Sequence, residues 1–263
     1  MKMNKFENIK TSDFIISFGT FFENNLELKD EVLKSIEKNQ TKFVYMFPID
    51  NANLKPFYTQ FIKYEVGSEE GICALLLDTF AKNYDEKTKE FINNLDLGYI
   101  SAESSAGEEE FEEAFEDYKN SNSKILIIGE DIKNHERVDN IIKLLATIKK
   151  YSDFDFLILD KDLENKINSC KNFDLEEIEE LKSFNGTLVY SLVGTDSPIL
   201  QASQTFANIA KVKDGENIQI ISKNEKINKI LKIDEKLTGT VAILSVKNSP
   251  NEYKYKQVKI EKE

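Results

Sequence analysis

Residues 124–159 read KILIIGEDIKNHERVDNIIKLLATIKKYSDFDFLIL, and this stretch decides the fold. Lys124 to Gly129 is a short apolar run closed by a glycine, the pattern of a buried strand meeting a turn. Arg137 to Lys150 then carries Val138, Ile141, Ile142, Leu144, Leu145 and Ile148 at helical spacing, and Phe154 to Leu159 is a second apolar run. Strand, helix, strand is a βαβ unit, which closes by a right-handed crossover and builds a parallel sheet.

The same order appears upstream. Asp13 to Phe18 (DFIISF) runs into Gly19-Thr20, Asn24 to Lys38 carries Leu26, Leu28, Val32, Leu33 and Ile36, and Lys42 to Phe47 (KFVYMF) stops at Pro48. A loop with Pro48 and Pro56 comes next. Ser68 is then the expected N-cap of a helix reaching about Lys82, with Glu69 and Glu70 in its first turn. Tyr84 to Asn94 predicts another helix, Leu97 to Ser101 a short strand, and Glu108 to Lys119 an acidic amphipathic helix with Phe111, Ala114, Phe115 and Tyr118 on one face. Downstream, Asp174 to Lys182 predicts a shorter helix capped by Asp174, and Thr187 to Val193 one more strand.

Beyond Gly194 the texture changes. Ser203 to Ala210 reads as a short helix. Glu216 to Ser222, Glu225 to Ile233, Thr240 to Ser245 and Tyr253 to Ile260 are β-branched runs, broken by Asp214-Gly215, Lys223-Asn224 and Gly239. The expected class is α/β: a parallel sheet with helices on both faces in residues 1–193, then a small mostly-β C-terminal lobe in 194–263, with the join near 186–202. No internal repeat and no low-complexity segment is present.

Composition narrows the function. The chain has 263 residues, 40% hydrophobic, 11% aromatic and 31% charged, with a net charge of -12. That balance argues against nucleic acid and anionic membranes, which need a basic patch, and favours a partner with a basic face. No twenty-residue apolar run predicts a membrane span. Met1 to Lys10 lacks the apolar core of a secretory signal, so a cytosolic setting is expected. Cys73 and Cys170 form no C-x-x-C pair, and Cys73 sits in an apolar stretch that reads as core. Two cysteines cannot hold an iron–sulfur cluster, which takes four protein ligands, and His135 is the sole histidine. Catalytic, cofactor-binding and metal residues are therefore expected to be none.

Three features have chemistry to weigh. Gly19, Gly107 and Gly129 each flank an expected strand, where an open α/β sheet cradles phosphates, but neither G-x-G-x-x-G nor a P-loop accompanies them, so tight turns are favoured. His135, within Gly129-Glu130-Asp131-Ile132-Lys133-Asn134-His135-Glu136-Arg137, has the pKa range of a general base, but no nucleophile pattern goes with it, and it precedes a helix that a polar side chain caps well. The acidic run Glu108, Glu109, Glu110, Glu112, Glu113, Glu116 and Asp117 reads as a solvated helix face before a cation or basic-partner site, and its spacing is not that of an EF-hand.

Taken together, these segments resemble the molybdopterin-oxidoreductase-like region of the large iron–sulfur subunit of respiratory complex I (NADH-quinone oxidoreductase). The matching stretches are Asp13 to Thr20 and Phe43 to Ile49. Gly98-Tyr99-Ile100-Ser101-Ala102-Glu103-Ser104-Ser105-Ala106-Gly107 is similar to the family's G-x-x-S-x-E-x-N-x-G, with Ser105 for the usual Asn. Ile127 to Asp131 running into His135-Glu136-Arg137 is a further likeness. The tail, Ala207 to Ile220 and Leu237 to Val241, looks like the β-barrel domain that ends molybdopterin enzymes, which makes the C-terminal lobe barrel-like. The family's cysteine-rich cluster domains are missing, and no Cys or Ser stands as a metal ligand.

The resemblance therefore implies a degenerate paralogue kept for its shape. It is similar to the short proteins that stand in for the NADH-oxidising flavoprotein pair in flavodoxin- or ferredoxin-using complex I. By that likeness the chain is expected to be a non-catalytic, cofactor-free subunit of a quinone oxidoreductase peripheral arm, near the electron entry point and on the cytoplasmic side of the inner membrane. It would contact other peripheral-arm subunits, especially the large iron–sulfur subunit, and help dock flavodoxin or ferredoxin. Such acidic carriers need a locally basic face, for which Lys223 to Lys236 and Lys254 to Lys262 are candidates. The alternatives are a stand-alone molybdopterin- or nucleotide-binding module and an enzyme using His135.

Overall fold

The computed structural model describes residues 6–223, 225–248 and 251–263. Part of the polar start expected at Met1 to Lys10, and Asn224 of the Lys223-Asn224 break, lie outside them. The chain divides into two compact units, one holding the residues up to Pro48 and Phe57–Ser183, the other Ile49–Pro56 and Phe184–Glu263.

In chain order the first unit contains β1 (Phe14–Phe18), α1 (Leu26–Asn39), β2 (Lys42–Met46), β3 (Gln60–Ile62), α2 (Glu69–Phe80), α3 (Glu86–Asn93), α4 (Leu97–Ser104), α5 (Glu108–Lys119), β4 (Lys124–Ile128), α6 (Val138–Tyr151), β5 (Phe154–Ile158) and α7 (Lys161–Ser169). Its five strands are all parallel in the order β3-β2-β1-β4-β5. This is the doubly wound arrangement, whose strand order reverses between β1 and β4. Every residue of β1 is buried, because alternate side chains feed two cores. Phe14, Ile16 and Phe18 join the core formed with α2, α5 and α6. The opposite parity on β2, Phe43 and Tyr45, meets Phe22 edge-on.

Several expectations need correction. Leu97 to Ser101 is not a strand but the start of α4, whose N-cap Asp96 accepts from Tyr99 N at 3.0 Å. Its Ile100 and Ser104, one turn apart, are buried. Gly107 consequently flanks no strand and is the N-cap of α5. Asp174 to Lys182 is not helical. Glu176, Glu177, Glu179 and Glu180 would stack like charges at i,i+3 and i,i+4 in a helix, and the backbone there is bound to other side chains. The helix lies earlier, in α7, where Asp160 accepts from Leu163 N at 2.9 Å and Leu163 and Ile167 are buried. Ser68 precedes α2 without capping it through its side chain; its hydroxyl donates to Glu65 O at 2.7 Å.

The second unit contains β6 (Leu188–Val193), β7 (Ile199–Ala202), α8 (Gln204–Ala210), β8 (Asn217–Ile221), β9 (Lys226–Ile233), β10 (Val241–Val246), β11 (Tyr255–Gln257) and β12 (Lys259–Lys262). The expected last strand of the α/β sheet, β6, instead pairs with β10 and β11 here, so the lobe begins ten residues before Gly194, at Phe184.

The strands form one mixed sheet in the order β11-β6-β10-β7-β9-β8-β12. Its two edge strands are separated in sequence by Val258 alone. A flat sheet of seven strands is roughly 29 Å wide, whereas one extended residue spans about 3.3 Å. The sheet must therefore curl until its edges meet, which makes a near-closed barrel. Val258 N donates to Thr187 O at 3.0 Å, and Thr187 Oγ1 donates back to Val258 O at 2.7 Å, tying the seam. Leu200, Ile218, Leu231 and Ile260 fill the interior with Phe206 and Ala207 of α8.

The cap of α3 carries a pH dependence. Asp85 accepts from Thr88 N at 2.9 Å and from the Tyr151 hydroxyl at 2.8 Å. The Thr88 amide first, and then that hydroxyl, lower its carboxyl to about 2. A depressed carboxylate stabilises the fold fully above its unfolded value and loses that contribution as pH falls through its folded one. Asp85→Asn is thus expected to lower the melting temperature at neutral pH, with the difference from the parent vanishing as pH approaches 2. A pH-independent difference in thermal melts would contradict this.

Candidate functional site

The carboxyl ends of β1 and β4 are where an open sheet of this order takes a ligand. Here the chain occupies that crevice itself. Gly19 turns out of β1 with φ +66°, a conformation open to glycine. Gly129, at the end of β4, lies so near that a Cβ on it would stand 1.7 Å from Gly19 O. Its amide donates to Phe18 O at 2.8 Å, and the Asp131 amide to Gly19 O at 3.4 Å. Ile132 seats its side chain 3.1 Å from the Cβ position of Gly19.

The loop that leaves β4 also carries part of a buried polar cluster. Glu69 and Glu70, in the first turn of α2, are 1% and 2% exposed, and Asp131 and His135, in the loop from β4 to α6, are 3% and 5% exposed. His135 Nδ1 accepts from Arg137 N at 3.0 Å, so Nε2 carries the proton; it faces Gly67 O at 3.0 Å and Glu69 Oε2 at 3.4 Å. Both ring nitrogens are thereby engaged, Nδ1 within the loop before α6 and Nε2 in joining that loop to Gly67 and Glu69 at the start of α2. That is a structural bracket, and the geometry does not favour His135 as a base acting on an outside substrate. Tyr64 is buried beside the cluster; burial pushes its phenol well up, and the Glu69 and Asp131 carboxylates push it further.

Glu70 anchors a second part of the cluster. Arg137 Nε reaches its two carboxylate oxygens at 3.1 and 3.2 Å, and Asn140 Nδ2 donates to it at 2.7 Å. Burial raises the Glu70 carboxyl, and the hydrogen bond from Asn140 and the charge of Arg137 offset that in part. Arg137 continues outward to Glu179 at 3.0 Å and to Glu177 O at 3.2 Å. Asn140 also brackets Glu176, donating to its carbonyl and accepting from its amide, both at 3.0 Å. Leu181 N donates to Tyr99 OH at 3.0 Å. The Leu181 side chain lies where a Cβ on Gly71 would be, at 2.8 Å. The non-helical segment 174–182 is therefore a strap clasped to α2, α4 and α6.

A phosphate or pterin group implied by the family resemblance does not fit this crevice. The Gly129 and Asp131 amides that would cradle an anion are spent on β1 and the turn leaving it. Asp131, whose amide is bound to Gly19 O, also carries a buried carboxylate there, opposite in sign to what would hold an anion. Of the three glycines singled out from sequence, the structure brings Gly19 and Gly129 together and leaves Gly107 elsewhere as a helix cap. The roles of Glu69, Glu70 and Asn140 are invisible in sequence, because buried polar residues on a helix look there like a solvated surface.

Two of the surface depressions among the described residues of the first unit lie elsewhere. One, of about 510 Å³, runs between α3, the start of α4 and the strap, with Phe91, Leu95, Tyr99, Leu175 and Ile178 on its walls. The other, of about 570 Å³, lies open along α5 beneath Glu109, Glu112, Glu113 and Glu116. Phe111, Ala114 and Tyr118 face the core from the same helix, as its amphipathic pattern predicts. Cys73 is buried in that core, and burial pushes its thiol well up. Among the described residues no group of His, Cys, Asp and Glu is arranged to hold a metal, and no helix is long and apolar enough to cross a membrane.

The sequence matches no family model and no curated protein. Among solved structures it is similar to acetylene hydratase from Pelobacter acetylenicus, with a TM-score of 0.60 and 6% identity over 91% of this chain and 71% of that one. At that identity the likeness shows the fold alone.

Proposed function

We propose that this chain is a non-catalytic subunit of a complex I-like quinone oxidoreductase, working through its surfaces at the peripheral arm near the point of electron entry. The observation that carries the non-catalytic part is the closed crevice between β1 and β4, where Gly129 meets the Gly19 carbonyl and the Ile132 side chain packs on Gly19. A doubly wound domain whose ligand crevice is filled by its own backbone keeps its shape and its outer faces as its working parts. The family resemblance supplies the assembly and the neighbours: the large iron–sulfur subunit, and flavodoxin or ferredoxin as the donor. The place at the cytoplasmic side of the inner membrane comes with membership of that assembly.

Deleting the gene is expected to abolish carrier-driven quinone reduction in membranes, and the protein is expected to co-purify with the oxidoreductase. Unchanged quinone reduction, together with absence of the chain from the purified complex, would sink the reading.

A further inference from the structure

The charge of the second unit opposes that of the rest of the chain. Residues 184–263 hold twelve lysines against nine aspartates and glutamates, a net +3 within a chain of -12. Strand pairing gathers part of this charge on one outer face of the barrel. Lys226 of β9 stands opposite Ile221 of β8, and Ile221 opposite Lys259 of β12. Two steps along β9, Ile230 pairs with Ile199 of β7, and Lys232 with Gln201. Alternation puts these residues on a common side, while Leu200, Leu231 and Ile260, of opposite parity, are buried in the barrel.

The result is an adjacent pair of exposed isoleucines, Ile199 at 36% and Ile230 at 40%, flanked by exposed lysines. Lys226 makes no ion pair among the described residues. Lys232 and Lys259 pair only with the exposed Asp214 and Glu261, contacts weak enough to exchange for a partner's carboxylates.

We propose that this face, β7-β9-β8-β12, docks an acidic protein surface, with Ile199 and Ile230 as its apolar centre and Lys226, Lys232 and Lys259 as its basic rim. An apolar centre within a polar rim, with charge complementary to the partner, is the anatomy of a protein interface. The four strands contain no Phe, Tyr or Trp, so nucleic-acid bases would find no stacking platform. Two half-exposed isoleucines on a sheet also lack the broad apolar face by which a helix lies in a lipid surface. The proposal rests on the reading that the chain works through its surfaces, and it does not depend on which assembly the chain joins.

The test places the photo-crosslinking residue benzoylphenylalanine in place of Asn228, at the middle of this face, in the full-length chain expressed in its own host. The same probe in place of Glu112 on α5 serves as control. After irradiation, mass spectrometry identifies the joined peptides. The expected product joins position 228 to a net-negative segment of another protein. Its yield is expected to fall about fivefold in high salt and in the triple variant Lys226→Glu, Lys232→Glu, Lys259→Glu, as for a charge-steered contact, with the variant's melting temperature unchanged.

A product with a second copy of this chain, with lipid or with nucleic acid would overturn the proposal. So would no product above the control, or a yield indifferent to charge reversal. An acidic partner outside any quinone oxidoreductase would uphold the docking face and sink the assembly reading. Co-purification with the oxidoreductase and no product at position 228 would do the reverse.

Discussion

Gly129→Ala is expected to destabilise the first unit by about 4 kcal/mol or more, at the upper end of single substitutions. A methyl group there would sit 1.7 Å from Gly19 O and 2.6 Å from Thr20 Oγ1. Both neighbours are buried, and the nearer is backbone, so no side chain can swing aside. Either the bond from Gly129 N to Phe18 O breaks or the ends of β1 and β4 move apart. Gly98→Ala makes the contrast. It lies within α4, with only the Asp96 carboxylate at 3.7 Å from the Cβ position, and is expected to be neutral or stabilising by about 0.5 kcal/mol, since alanine suits a helix better than glycine. Urea denaturation of the two variants checks this. Equal midpoints would mean that the crevice is not closed by backbone contact.

Arg137→Ala is the second large effect. It leaves Glu70, 2% exposed, with Asn140 as its remaining side-chain partner among those described. Removing one member of a buried pair costs about 3 kcal/mol or more, because the other charge stays buried. The same change cuts the ties to Glu177 and Glu179, so limited proteolysis should cleave the strap 174–182 faster.

Glu70 sets the sign of the pH dependence. Burial holds its carboxyl above the ordinary value of 4.5 in the folded chain, so the folded state binds the extra proton. Stability from this group is greatest in acid and falls as pH rises from 4.5 through the raised value. Arg137→Ala strengthens that slope by removing a charge that favours the carboxylate. The loss in melting temperature should therefore be largest at neutral pH and smaller in acid. Adding Glu70→Gln to Arg137→Ala should recover part of the stability, because no ionised group then remains to be buried. A double variant less stable than Arg137→Ala alone would show that Glu70 is not the source of the cost.

Local pattern carried the parallel sheet. β1, β2, β4 and β5 are apolar runs ending at a turn signal, and α1, α5 and α6 repeat their apolar residues at helical spacing. β3 is illegible in sequence, because three residues after a proline-bearing loop show no period. α7 was legible, with Asp160 as its cap and Leu163 and Ile167 one turn apart, but Asp174 offered a rival cap on a stretch whose glutamates repel one another in a helix. α4 read as a strand because Leu97, Tyr99 and Ile100 favour strands, and its burial against α2 decided otherwise. β6 shows the limit of such reading. Its sequence says strand, but only its pairing with β10 says which sheet.

The site divides in the same way. The turns at Gly19 and Gly129 were visible in sequence. Their meeting is long-range, and so is the clasp joining Glu70 to Arg137, Asn140 and the strap. The lysine segments near the C-terminus were visible too, but their union on one face depends on β8 lying between β9 and β12.

The proposal that this chain has a closed ligand crevice and serves a quinone oxidoreductase through its surfaces is tested most directly by native mass spectrometry of the assembly released from membranes in mild detergent. The chain is expected to leave a complex containing the large iron–sulfur subunit at its bare polypeptide mass of 30.3 kDa. A chain that carries a pterin- or nucleotide-sized adduct, or that flies alone with no complex to leave, would contradict that expectation.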